Sequence, residues 1–94
     1  MRALCLLAER KGYVFVGCNT NGNNAYFVKR ALATNLVART PEEGYVASRF
    51  RESRDAEGRL TYKTGAERFA VIADMQVMDI ERGILTRLGD VPDV

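Results

Sequence analysis

The chain has 94 residues, one domain at most, with room for only a marginal core of its own. Apolar residues make up 47% and charged residues 28%, a globular balance that argues against a disordered chain. Its 14 basic and 12 acidic residues leave a net charge of +2, too even for the segregated basic stripe of a nucleic-acid binder. Arg49, Arg51, Arg54 and Arg59 cluster, but Glu52, Asp55 and Glu57 interrupt them, which reads as a solvated helix face. There is no histidine, so histidine-based acid, base or nucleophile chemistry is excluded and a metal site on the two cysteines is disfavoured.

The opening "MRALCLLAERKG" has an apolar core from Ala3 to Ala8 that is too short for a secretion signal, and no small-residue cleavage site follows. Nothing approaches the roughly 18 apolar residues of a membrane span. A cytoplasmic, membrane-free protein is the expectation, with Cys5 and Cys18 as small buried hydrophobes. Residues 2–11 predict a helix ended by Gly12, apolar almost all round and so covered on more than one side. It starts without a capping residue, as the tail of a longer element would.

"YVFVGC" from Tyr13 predicts a strand, and "AYFVKR" from Ala25 a second one. The asparagine-glycine loop between them predicts an antiparallel hairpin, because Asn and Gly tolerate the positive φ of tight reversals. Neither strand alternates apolar with polar, so both faces are expected to lie under other layers. Further on, "TPEE" carries Thr40 as cap, Pro41 in the first turn and Glu43 reaching back, a strong helix start. Val46 and Phe50 are expected to form that helix's buried stripe, weakened by Gly44. "RDAEGRL" reads as a polar turn. "TGAERFAVIADM" repeats the capping-box spacing with Thr64 and Glu67, and Phe69, Ile72 and Ala73 mark its apolar face. "QVMDIERGILTRL" predicts a second hairpin around Glu81, Arg82 and Gly83, and the tail "GDVPDV" is expected to fray. The fold class is therefore α+β, with an N-terminal helix, an antiparallel hairpin, two further helices and a short C-terminal hairpin.

Two constellations could carry chemistry. "GCNTNG" spaces two glycines like a phosphate loop, but no Gly-Lys-Ser/Thr follows and the next element is a strand, which argues against one. The amides of Asn19, Asn21, Asn23 and Asn24 could bind a substrate, since amides donate and accept at once. They equally supply Asx turns and positive φ, and the local pattern favours that structural use. Glu42 and Glu43 are explained by helix capping, and Asp74 and Asp79 by structural roles at element ends. Tyr13, Phe15, Tyr26 and Phe27 suit a core better than a base-stacking platform.

"KGYVFVGCNTNGNNAYFVKR" resembles the closing hairpin of class I S-adenosylmethionine-dependent methyltransferases, FkbM-type and related proteins in particular. The matching positions are Gly12, Tyr13, Val16, Gly17, Asn19, Gly22, Asn24, Ala25, Phe27 and Val28, with Thr20 and Tyr26 as conservative departures. The later "RESRDAEGRLTYKTGAERFAVIADMQVMDIERG" resembles the extension after that hairpin. The resemblance implies the C-terminal part of a Rossmann-like fold within a single domain, 1–94, split into helix plus hairpin over 1–30 and an extension over 31–94. In that fold a glycine-rich turn and an acidic residue hold the cofactor, and this chain carries neither. No bound cofactor and no methyl transfer by this chain alone are the expectations. The resemblance also places the asparagine loop near a substrate-facing end. It leaves Ala25, Tyr26, Phe27 and Val28 as an apolar edge, which implies a homodimer, through either edge-to-edge pairing there or burial of the uncovered sheet face. The alternative is a substrate-recognition or accessory subunit that completes a separate methyltransferase-like chain.

Overall fold

The computed structural model describes residues 1–92. The chain forms two compact units, one over residues 1–50 and one beginning at Arg51. The first unit starts with α1 (Arg2–Arg10), whose last turn closes through Lys11 and Gly12. Gly12, at φ +80, swings the chain into β1 (Tyr13–Cys18). β2 (Ala25–Lys29) returns antiparallel to it, pairing Tyr13 with Lys29, Val14 with Val28 and Phe15 with Phe27. A bulge at Val16 then shifts the register, so that Gly17 faces Tyr26 and Cys18 faces Ala25. α1 and a single helical turn, α2 (Pro41–Gly44), both pack on β1.

The core of this unit is centred on Phe15, 4% exposed, whose ring centroid lies 5.2 Å from that of Phe27. Gly44 makes room for it: a Cβ there would stand 2.5 Å from the Phe15 ring. The capping box is formed as expected, with Glu43 N–H donating to Thr40 Oγ1 and Thr40 N–H to Glu43 Oε2. The long helix after it is not. The chain turns extended at Tyr45 (φ −73, ψ 134) after one turn. Gly44 is a weak helix former, and the backbone of Val46 and Ala47 is drawn against Gly22 instead. Val46 is therefore half-buried off any helix, and Phe50 stays about half exposed.

The two-sided covering expected of α1 and of the hairpin is absent from this unit. Leu4 and Leu7 on α1 and Tyr26 on β2 are about half exposed, because one helix and one helical turn cannot layer both faces of the ribbon. Phe15 is the one buried hydrophobic side chain among the described residues.

The second unit opens on a short reversal in which Arg54 bridges Leu60 across the "RDAEGRL" turn. α3 (Gly65–Ile72) follows. Thr64 precedes it in extended backbone but makes no side-chain cap bond, contrary to the spacing with Glu67. Gly65 enters the helix at φ +51, a left-handed step that breaks the approach a capping box needs. Phe69 and Ala73 are half-buried, whereas Ile72 is exposed. β3 (Gln76–Asp79) and β4 (Ile84–Arg87) form the expected second hairpin, pairing Val77 with Thr86 and Met78 with Leu85. A 3-10 turn (Leu88–Asp90) then closes on the end of α3 through Gly89 N–H to Ala73 O and Leu88 N–H to Met75 O. Of the tail expected to fray, Gly89 is tied down in this way, and residues 93 and 94 lie outside the described residues. The result is a small α+β chain with helices and two antiparallel hairpins. No helix among the described residues is long and apolar enough to cross a membrane.

Candidate functional site

The asparagine loop joins β1 to β2, and its geometry follows from one side chain. Asn19 N–H donates to Asn24 O at 3.1 Å, closing the hairpin, while Gly22 N–H donates to Asn19 O at 3.0 Å. The Asn19 carboxamide faces inward. Its Oδ1 accepts from Asn23 N–H (3.1 Å) and Asn24 N–H (3.2 Å), and its Nδ2 donates to Asn23 Oδ1 (2.6 Å). Asn19 is thus a staple for the loop, an Asx-type use of the amide. Four main-chain N–H groups of the loop are consumed in these bonds, at Asn19, Gly22, Asn23 and Asn24, so they are not available to cradle a phosphate.

Of the four asparagines read as substrate groups, Asn19 and Asn23 bond to each other, while Asn21 and Asn24 are exposed with no side-chain hydrogen bond among the described residues. Asn21 contributes its carbonyl, which accepts from Arg49 N–H at 3.1 Å. That contact belongs to a segment, residues 46–49, that lies along the loop and that the sequence reading did not attach to it. Gly22 sits at φ +67 with the carbonyl oxygens of Val46 and Ala47 only 2.5 Å from where a Cβ would be. A glycine obligatory both for φ and for space was the available signal; its partner, over 20 residues away, left none.

The four residues read as an apolar edge are placed on β2, and the ladder decides which main-chain groups are outward. Arg30 N–H donates to Gly12 O and Asn19 N–H to Asn24 O, so the pairs 12/30 and 19/24 are hydrogen-bonded. Antiparallel alternation then makes 13/29, 15/27 and 18/25 non-hydrogen-bonded pairs. Ala25, Phe27 and Lys29 therefore turn N–H and C=O away from β1, and Tyr26 turns them toward it. None of the outward groups has a partner among the described residues. The other side of the ribbon differs: Phe15 O, outward on β1, accepts from Arg39 N–H at 2.8 Å.

The carboxylates act structurally. Asp79, nearly buried, accepts from Glu81 N–H (3.0 Å), Arg82 N–H (3.1 Å) and the Arg82 guanidinium, and organises the second hairpin's turn. The Arg82 side chain, followed by these backbone bonds, holds the Asp79 carboxyl below its ordinary range. Asp55 does the same in the "RDAEGRL" turn, where the backbone N–H and then the side chain of Arg59 lower its pKa. Asp74 meets Arg87 at 3.5 Å on the surface. Cys5 and Cys18 are half-buried and free of any disulfide, and burial pushes the Cys5 thiol up from its ordinary value. No group of three or more metal-binding side chains occurs among the described residues. Neither a family model, nor a curated protein, nor a solved structure matches the chain.

Proposed function

We propose that this chain is a non-catalytic, self-associating α+β module whose N-terminal hairpin corresponds to the closing hairpin of a methyltransferase-like fold. One observation carries the reading: the chain is short of buried apolar surface. Phe15 is the buried hydrophobic side chain among the described residues, while Leu4, Leu32, Val37 and Tyr45 in the first unit alone are more than half exposed. Even as two separate globules of half its mass, a chain of this size would expose roughly 6,500 Å². It exposes 7363 Å². Apolar area of that kind is stabilised at about 25 cal/mol per Å² when covered, and a second copy covers it. The non-catalytic part rests on the loop, where the Asn19 carboxamide is committed to holding the hairpin and so is not offered to a substrate.

A second reading, an accessory subunit for a separate methyltransferase-like chain, draws on the exposed side-chain amides of Asn21 and Asn24. Calorimetric titration of the purified chain with S-adenosylmethionine and S-adenosylhomocysteine, with its oligomeric state measured on the same sample, tests the proposal. The expected result is a dimer that gives no binding heat. Binding in the micromolar range overturns the non-catalytic reading, and a monomer overturns self-association.

A further inference from the structure

We infer that β2 of one copy pairs antiparallel with β2 of a second copy about a two-fold axis through Phe27, which extends the ribbon to four strands. The inference rests on the self-association proposed above and specifies its edge and its register. Ala25, Phe27 and Lys29 present unpaired N–H and C=O groups on one side of a five-residue strand. The opposite side of the ribbon is not equivalent, because Arg39 N–H already occupies Phe15 O. The bulge at Val16 distorts β1 and leaves β2 regular, so β2 is the edge that can template a partner strand.

Parity restricts the register. Only outward residues can exchange main-chain bonds, so outward must face outward. Centring on Phe27 sets Phe27 against Phe27 and Ala25 against Lys29 of the second copy, and engages all three outward residues of each strand. A slip by two residues toward either end leaves one outward residue of each strand unmatched within β2. A slip by four leaves a single outward pair within β2, either Lys29 against Lys29, a like-charge pair, or Ala25 against Ala25. Centred on Phe27, the strands also set Tyr26, about half exposed, against Val28 of the second copy, an aromatic–β-branched pair. These 26/28 pairs are non-hydrogen-bonded, with Cα atoms about 4.5 Å apart, within the span of a disulfide.

Cross-linking in a Cys5→Ser, Cys18→Ser background tests the register. Tyr26→Cys and Val28→Cys chains are mixed and oxidised, and each is also oxidised alone, with mass measured by light scattering before oxidation. The mixture is expected to form the 26–28 disulfide about tenfold faster than either chain alone forms its own, because identical positions are staggered by two residues beyond disulfide reach. Preferred 26–26 or 28–28 bridging overturns the register in favour of a slip. A dimer without cross-linking at these positions overturns edge pairing and leaves self-association intact, whereas a monomer overturns both. Isotope-filtered nuclear Overhauser contacts on a mixture of labelled and unlabelled natural chain provide the check that needs no variant. Contacts between the Tyr26 ring and the Val28 methyls of different copies are expected, and a dimer lacking them overturns the pairing.

Discussion

Gly22→Ala is the substitution whose effect the structure fixes most closely. Gly22 sits at φ +67, and an alanine there costs about 1–2 kcal/mol for left-handed backbone alone. Its Cβ would also fall 2.5 Å from the carbonyl oxygens of both Val46 and Ala47. These are backbone atoms, so the segment at residues 46–49 has to move away from the loop, and overpacking of this kind adds about 1–3 kcal/mol. The expected loss is about 2–5 kcal/mol. Gly12→Ala is the internal control, since Gly12 has φ +80 with nothing within 4 Å of a Cβ. It should lose only the backbone part, about 1–2 kcal/mol. Asparagine at position 22 tolerates the φ but still carries a Cβ, and should keep only the overpacking part, about 1–3 kcal/mol. The assay is urea unfolding followed by far-UV circular dichroism, at one fixed chain concentration because association shifts the midpoint. Amide exchange at Arg49, which donates to Asn21 O, reports the same displacement locally. A Gly22→Ala chain no less stable than Gly12→Ala, with Arg49 equally protected, refutes the packing of residues 46–49 on the loop.

Gly44→Ala places a Cβ 2.5 Å from the buried Phe15 ring, and about 1–3 kcal/mol of destabilisation is expected in the same urea assay, with shifted Phe15 and Phe27 ring resonances. Asn19→Ala takes the acceptor from the exposed N–H groups of Asn23 and Asn24 and should cost about 0.5–1.5 kcal/mol for each bond lost. Asn19→Asp keeps that acceptor and loses only the Nδ2 donor, so it should be the milder change by thermal melting. Asp55 and Asp79 have folded-state pKa values below their unfolded ones, so the stability they contribute is complete above about pH 4 and is lost as pH falls through the folded values. Acid titrations monitored by circular dichroism should show a shallower decline below about pH 4 for an Asp55→Asn, Asp79→Asn double variant, and an unchanged profile would contradict the assignment.

Both hairpins were legible because their signals are local. Turn residues such as Asn24 and Gly83 sit between β-branched and aromatic runs, and nothing distant has to be known. The helix after Thr40 was over-read for the opposite reason. Val46 and Phe50 are four apart, a helical interval, but the backbone around Val46 and Ala47 is claimed by Gly22, a contact no local pattern encodes. The two capping-box spacings make the same point. Thr40 and Glu43 close one, while Gly65, in left-handed backbone, leaves Thr64 and Glu67 apart. At the loop, sequence identified the cluster of amides and the choice between turn and ligand; only geometry shows Asn19 folded back on Asn23 and Asn24. The apolar edge was read as Ala25 to Val28, but ladder parity makes Ala25, Phe27 and Lys29 the outward groups, and parity depends on the pairing frame and the Val16 bulge.

Sedimentation velocity on the natural chain, from about one to a hundred micromolar, decides whether the chain self-associates. A species of twice the chain's 10.5 kDa is expected across that range, dissociating only on further dilution. A single species of 10.5 kDa at every concentration contradicts self-association.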